Sequence, residues 1–256
     1  MNKINAFCLI LFLSINQLIA QDARLLSKQA TDAMKFESME MSSTLKIYNN
    51  KGAVRTRQLN TATKKFGETN KTLLEFTAPA DVKGTTLLIY DNEDASDDMW
   101  IYMPALRKVR RIVSSEKGKN FMGSEFTNAD LSVPNLDDFN YKLLGEVKID
   151  EKPCWKIEST CKNENIQDEY GISKRISYLT KENSLAYKIE YFDLDGELSR
   201  VQQIKDYRKQ ANGQYFAFYM EMENIQNGRK SVMNINQFQL GSKLIEDVFS
   251  PITLNQ

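Results

Sequence analysis

The chain of 256 residues contains no histidine, the side chain that most often serves as a general base near neutral pH. This absence excludes a Ser-His-Asp triad and removes the commonest metal ligand. Gly123-Ser124-Glu125 lacks the second glycine of the strained turn that presents a nucleophilic serine. The 34 carboxylates show no spacing that selects an acid pair for glycoside hydrolysis. The sequence therefore predicts a protein that is not an enzyme.

Two acidic segments contain the oxygen ligands that calcium prefers, but not the spacing of a calcium loop. Asp91–Asp98 (DNEDASDD) matches no calcium motif, and we expect a solvated hairpin tip there. Asp193-Leu194-Asp195-Gly196 has its glycine in the fourth position, whereas an EF-hand loop requires it in the sixth. We interpret this segment as a turn. The sequence predicts no metal site and no cofactor.

The amino terminus is typical of a cleaved signal peptide. Lys3 precedes the apolar run Ala6–Ile15, which is far shorter than the roughly 20 residues of a membrane span. A small residue, Ala20, predicts cleavage before Gln21 and export, with residues 21–256 forming one domain. Cys8 lies within the apolar run and not behind it, so we expect no lipid anchor.

Beyond the signal peptide the chain has two cysteines, Cys154 and Cys161. Continuous strand between them would hold their Cα atoms roughly 23 Å apart, against a disulfide limit of about 7 Å. We predict two unpaired, partly buried thiols, since a bridge would require a turn between them. Lys and Arg number 34, equal to Asp and Glu, so the chain lacks the basic excess of nucleic-acid-binding proteins.

Hydrophobic periodicity indicates a mainly β protein. A helical stripe predicts a helix over Asp22–Ser38. A weaker signal predicts a short helix within Phe121–Leu131, capped by Thr127 or Ser124, and this segment has enough apolar area to lie across a sheet. Strand patterns joined by turn residues such as Asp195-Gly196 predict an antiparallel meander, sandwich or barrel. The predicted strands are Met39–Tyr48, Ala53–Thr61, Thr72–Thr77, Thr85–Tyr90, Met99–Met103, Lys108–Val113, Tyr141–Ile149, Cys154–Thr160, Ser173–Leu179, Ala186–Phe192, Ser199–Tyr207, Tyr215–Asn224 and Ser231–Phe238.

One strand is apolar on both faces, because Trp100, Tyr102 and Pro104 alternate with Met99, Ile101 and Met103. Such a strand needs cover on both sides. Either it is an ordinary buried central strand, or one of its faces lines a ligand cavity. The same-face pairs Met39/Met41 and Met220/Met222 modestly favour a cavity, since flexible thioethers adapt to varied acyl shapes.

A basic cluster follows the aromatic strand, at Arg107, Lys108, Arg110 and Arg111. Arginines beside an apolar opening suit a lipid phosphate or the acidic face of a partner protein. Alternatively, the cluster is a solvated sheet edge that discourages pairing with other chains.

Several segments together resemble the exported bacterial outer-membrane lipoprotein-sorting proteins, relatives of the carriers LolA and LolB. The similarity spans most of residues 21–256 and is found at Leu74–Thr85 (LEFTAPADVKGT), Trp100–Ile112 (WIYMPALRKVRRI), Phe121–Phe126 (FMGSEF), Asp130-Leu131, Tyr191-Phe192-Asp193 and Phe249.

The resemblance implies an unclosed antiparallel β-barrel with helices over its concave, apolar face. It implies a soluble periplasmic carrier that holds acyl chains of lipoproteins or of another lipid for transfer toward an outer-membrane acceptor. An alternative is an accessory protein that docks on an inner-membrane efflux-type exporter through Arg107–Arg111. We expect the cavity and its lid at Trp100, Tyr102, Met103, Phe121, Met122 and Phe126, the rim or partner contact at Arg107, Arg110 and Arg111, and lid control at Arg55 or Arg57.

Overall fold

A computed structural model of the protein describes residues 23–92 and 96–254. The predicted signal peptide, residues 1–20, lies outside the described residues. So do residues 93–95, in the middle of the predicted acidic hairpin tip Asp91–Asp98. The described residues form three α-helices and thirteen strands, together with short turns of 3-10 helix. They are α1 (23–32), β1 (Ser38–Tyr48), β2 (Val54–Phe66), β3 (Thr69–Ala78), β4 (Thr86–Asn92), β5 (Asp98–Met103), β6 (Lys108–Ile112), α2 (Ser114–Lys117), β7 (Phe139–Ile149), β8 (Lys152–Cys161), α3 (Glu164–Tyr170), β9 (Lys174–Thr180), β10 (Ala186–Phe192), β11 (Leu198–Lys209), β12 (Tyr215–Asn224) and β13 (Arg229–Leu240).

All strands belong to a single antiparallel sheet whose order is β6-β5-β4-β3-β2-β1-β13-β12-β11-β10-β9-β8-β7. Each strand pairs with its neighbours in sequence, and β1 pairs with β13 to join the two halves. The meander fails to close only between β6 and β7, which are the two edges. The predicted unclosed antiparallel barrel is therefore confirmed, and each of the thirteen predicted strands overlaps an observed one.

The hydrophobic core lies on one face of this sheet, which we call the inner face. Along β1 the alternation places Ser43, Leu45 and Ile47 inward, and all three are buried. Helix α1 covers the inner face with Ala23, which is fully buried, and with Leu26. A strand in this position needs one apolar face, which explains the period of two in the sequence.

The opposite, outer face carries a smaller core, which the carboxyl-terminal residues cover. Phe249 and Leu254 pack there against Leu88 of β4. The Tyr90 hydroxyl donates a hydrogen bond to the Phe249 carbonyl at 2.6 Å. Because both faces of β4 and β5 are covered, their sequences are apolar on both sides.

The connection from β6 to β7, residues 113–138, is the crossing segment. The sequence predicts a short helix within Phe121–Leu131, but no α-helix forms there. Instead there are two single turns of 3-10 helix, at Phe121–Gly123 and Ala129–Leu131. Met122 and Gly123 both have positive φ, at 48° and 75°, which a continuous helix cannot accommodate.

Two further helical boundaries differ from the sequence predictions. Helix α1 ends at residue 32, whereas the apolar stripe predicted helix as far as Ser38. Helix α3 was not predicted, although its capping residues are visible in the sequence. The Asn163 side chain accepts a hydrogen bond from the Ile166 amide, and Gly171 ends the helix at φ 66°. None of the helices in residues 23–92 and 96–254 has the length and apolar character to cross a membrane.

Helices α2 and α3 join the two ends of the open sheet. Lys117 of α2 forms a buried ion pair with Glu169 of α3. Directly beyond it, Gly118 approaches Gly171 so closely that a Cβ on Gly118 would lie 2.6 Å from the Gly171 Cα. Gly118 has an ordinary helical φ of −70°, so its small size is required here by packing and not by conformation.

Replacing Gly118 by Ala should therefore lower the free energy of unfolding by about 1–3 kcal/mol, the usual cost of overpacking. Chemical denaturation followed by circular dichroism measures this change. Lys119→Ala is the matched control, because Lys119 is exposed and next in sequence. Equal stabilities for the two variants would show that the Gly118–Gly171 contact is not tight.

The two cysteines of β8 are free and buried, as the sequence predicted. Burial raises the pKa of both thiols, that of Cys161 to about 11, so both are protonated near neutral pH. Because the thiolate is the reactive species, both should resist Ellman's reagent at pH 8 until the protein is unfolded. Release of about two thiols per chain only in denaturant is the expected result for residues 21–256. No release in denaturant would indicate a disulfide.

Candidate functional site

A cavity of about 400 Å³ lies between the inner face of the sheet and its cover, which consists of α1 and the carboxyl-terminal half of the crossing segment. This volume is within the range of about 300–1,000 Å³ typical of small-molecule pockets. Its apolar lining comes from both the sheet and the cover, at Ala30, Met34, Phe36, Met39, Met41, Leu74, Ile89, Leu131, Val133, Ile172, Leu179, Ala186, Ile189, Ile204, Met220 and Met233.

Methionine is the characteristic residue of this lining. Met39 and Met41 project from β1, Met220 from β12 and Met233 from β13, while Met34 follows α1. The structure thus brings together three of the four methionines of the two same-face pairs, and the fourth, Met222, is fully buried in the adjoining core. Unbranched, polarisable side chains let a cavity adapt to flexible apolar ligands.

Charged residues of the crossing segment hold it on the inner face. Asp130 forms an ion pair with Arg200 of β11 at 2.6 Å, with side-chain exposures of 12% and 8%. The Arg200 guanidinium also donates to the Glu125 carbonyl at 3.1 Å and lies over the Tyr191 ring. Burial this deep makes each partner dependent on the other.

Glu125 supplies a second anchor. Its side chain is 1% exposed and forms an ion pair with Arg229 of β13 at 2.9 Å. Asn224 donates to the other carboxylate oxygen at 3.1 Å. The Glu125 amide donates to the Ser231 hydroxyl, so both backbone and side chain attach this residue to the sheet.

The residues on either side of Glu125 are apolar anchors. Phe121 and Phe126 are 1% and 4% exposed, and Phe121 stacks on Phe76 of β3 with ring centroids 5.6 Å apart. The buried Ser124 hydroxyl donates to the Phe121 carbonyl at 2.8 Å, which stabilises the tight loop between the two rings. The motif FMGSEF is therefore a docking loop that fixes the crossing segment to the sheet.

The six residues predicted for the cavity and lid divide between the two faces of the sheet. Trp100 and Tyr102 belong to the core of the outer face, where Trp100 packs edge-on against Tyr90 at 4.9 Å. Met103, Phe121, Met122 and Phe126 belong to the core of the inner face. None of the six is among the residues that line the 400 Å³ cavity. Alternation along β5 explains the separation, since neighbouring residues face opposite sides.

The predicted rim arginines lie at or next to edge strand β6. Arg110 forms an ion pair with Glu116 at 2.5 Å, and Arg111 pairs with Asp98. Arg107, which precedes β6, is exposed and has a positive φ of 48°. None of these three arginines lines the cavity. Both Arg110 and Arg111 are partly neutralised within the chain.

Of the two arginines predicted for lid control, only Arg57 contacts the crossing segment. Its guanidinium donates a hydrogen bond to the Met122 carbonyl and lies 5.5 Å from the centroid of the Phe76 ring. Burial lowers the pKa of Arg57, in keeping with its partial removal from water. Arg55 is exposed.

Sequence analysis missed the charged anchors altogether. Glu125, Asp130, Arg200 and Arg229 read as ordinary surface charges in a chain with 34 carboxylates. Their pairing joins positions from 70 to 104 residues apart. The one local signal was the presence of Glu125 between two phenylalanines.

A protein-family model described as "Uncharacterized protein" matches residues 68–256, which is well over half of the chain. The chain belongs to this family. Among curated proteins, none matches the sequence.

Solved structures share the fold. One is described as an outer membrane lipoprotein-sorting protein domain from Vibrio parahaemolyticus, with a TM-score of 0.85 and 25% identity over 93% of this chain and 100% of that one. A DUF1329 family protein from Desulfovibrio piger gives 0.85 and 26% over 92% and 99%. A LolA superfamily protein from Nitrosomonas europaea gives 0.70 and 19% over 89% and 97%. The resemblance to lipoprotein-sorting proteins of the LolA kind is thus confirmed.

The buried ion pair between Asp130 and Arg200 offers a stability test of the anchor. Asp130→Asn leaves the Arg200 guanidinium buried without its counter-charge, so the free energy of unfolding should fall by about 3–5 kcal/mol. Asp137→Asn is the matched control, because the exposed Asp137–Arg24 pair is worth no more than about 1 kcal/mol. Urea denaturation measures both, and equal losses would contradict the anchor assignment.

Proposed function

We propose that the protein is a periplasmic carrier that binds acyl chains of a lipoprotein or another lipid in its methionine-lined cavity, for transfer toward the outer membrane. It acts by binding and release and catalyses no reaction. The observation that carries this proposal is the 400 Å³ apolar cavity between the inner face and its cover. Each methylene group moved from water into such a cavity contributes roughly 0.8 kcal/mol.

Location in the periplasm rests on the signal-peptide pattern of residues 1–20 and on the solved relative from Vibrio parahaemolyticus that is described as a lipoprotein-sorting domain. A ligand enters when the cover opens, and the cover can open because a small number of separate polar contacts hold it in place. Movement of the crossing segment away from Arg57 and Arg200 would expose the lining. We infer that Arg57 helps to set how readily this segment opens.

The alternative, an accessory protein that docks on an inner-membrane exporter through Arg107–Arg111, has weaker support. Arg110 and Arg111 already pair with carboxylates of this chain. A docking protein would also have no use for an apolar cavity beneath an anchored cover.

Native mass spectrometry of protein purified without detergent, before and after incubation with phospholipid vesicles, tests the carrier proposal. We expect an added mass that denaturation releases and that organic extraction identifies as an acylated molecule. Met39→Lys should reduce retention more than tenfold, because it places an ammonium group in the apolar lining.

Glu40→Lys is the matched control. Glu40 is next to Met39 on β1 but lines a groove on the outer face, so it should leave lipid retention unchanged. Ala30→Phe, which fills the cavity without adding charge, should lower retention as well. A protein that stays free of lipid after incubation, or equal retention by Met39→Lys and Glu40→Lys, would contradict the carrier proposal.

A further inference from the structure

Strand register places a row of polar residues across the inner face. Tyr141 of β7 is opposite Ser159, Ser159 is opposite Arg175, Arg175 is opposite Tyr191, and Tyr191 is opposite Arg200. Directly opposed residues of antiparallel strands share a face and have Cβ atoms about 4.5–5.5 Å apart. Five neighbouring strands, β7 to β11, thus present polar side chains along one line of the inner face.

The positive charges in and beside this row differ in how they are neutralised. Arg200 has Asp130 as its partner, and Arg229, farther along the sheet on β13, has Glu125. Both of these carboxylates come from the crossing segment. Arg175 is part of the cavity lining. Among the described residues, no carboxylate oxygen lies within 4 Å of its guanidinium nitrogens, whereas Arg200 has one, from Asp130, at 2.6 Å. Its positive charge is therefore not paired with any carboxylate of residues 23–92 and 96–254.

One hydrogen-bond donor of Arg175 is also unused within the described residues. Its Nε atom is buried and has no hydrogen-bond partner within the described chain. The guanidinium carbon lies 4.8 Å from the centroid of the Phe139 ring, which orients the group but satisfies none of its donors. A buried donor without an acceptor costs free energy, more so when it carries charge.

Tyr141, at the end of the same row, adds a second unsatisfied donor. Its hydroxyl is buried and has no partner among the described residues. Burial raises the pKa of Tyr141 to about 12, an effect that the positive charge of Arg175 partly opposes. The phenol is therefore neutral, and it does not line the cavity.

We propose that Arg175 binds an oxyanion, a carboxylate or phosphate, at the head of the acyl-chain ligand. A planar guanidinium suits both anions, and the methionine-rich lining accepts the chain. This inference rests on the carrier proposal and narrows it, because it selects anionic amphiphiles over uncharged acyl esters and amides.

Isothermal titration calorimetry at pH 8 with three ligands of equal chain length tests the inference. Hexadecanoate and hexadecyl phosphate should bind at least about tenfold more tightly than hexadecanol, which has the chain but no charge. Preference for one anion over the other distinguishes a fatty acid from a phospholipid as the source. Arg175→Met, which keeps an apolar contact with Phe139, should bring all three affinities to that of hexadecanol, while Arg175→Lys should restore part of the preference.

Arg208→Met is the control, since Arg208 is exposed on β11 and pairs with Asp206 outside the cavity. Circular dichroism melts verify that each variant is folded. Equal affinities for anion and alcohol in the unaltered protein, or a preference that persists in Arg175→Met, would overturn the inference and leave the carrier proposal intact. Failure of all three ligands to bind would overturn both.

Discussion

Asp130 and Glu125 carry negative charge into the interior of the protein, where each meets an arginine from the inner face of the sheet. The cavity depends on these contacts, because they fix the crossing segment at a distance from the methionines beneath it. An apolar cover without such anchors would settle onto the sheet and fill the space, since burial of apolar surface favours collapse. Charged anchors specify one position instead. They also allow the crossing segment to detach from the sheet, since only a few polar contacts and two aromatic rings hold it there.

The open sheet imposes a related constraint. A meander that fails to close between β6 and β7 leaves both edge strands unpaired, and the connection between them has to pass across the inner face. Helices α2 and α3 hold the two ends together through the Lys117–Glu169 pair and the Gly118–Gly171 contact. The outer face is covered separately by Phe249 and Leu254. The protein thus has two cores, and only the inner one contains the methionine-lined cavity.

The strands could be predicted from sequence because their signal is local: alternation over five to thirteen residues, ended by turn-forming pairs such as Asn212-Gly213. The cavity was predictable only in part. Met39, Met41 and Met220 were informative, since each lies on the apolar face of its strand. Trp100 and Tyr102 were misleading, because β5 is apolar on both faces and its sequence does not show which face lies inside.

The charged partners could not be found in this way. Arg200 and Asp130 are 70 residues apart in sequence, and nothing local distinguishes either from a solvated charge. Their pairing follows from the register of β11 and the path of the crossing segment, which only the assembled fold defines. The same holds for the row from Tyr141 to Arg200, whose members come from five different strands. Helix α3 is a different case, because Asn163 and Gly171 are recognisable capping residues at a plausible separation.

The central claim is that acyl chains bind on the inner face, beneath the crossing segment. Photolabelling with a fatty acid that carries a diazirine near its methyl end, followed by peptide sequencing of the labelled protein, tests it most directly. The account predicts label on the cavity-lining positions of β1, β12 and β13, at Met39, Met41, Met220 or Met233, and competition by unlabelled fatty acid. Saturable label on Trp100, Tyr102 or the residues around Phe249 would place the ligand on the outer face and contradict the account.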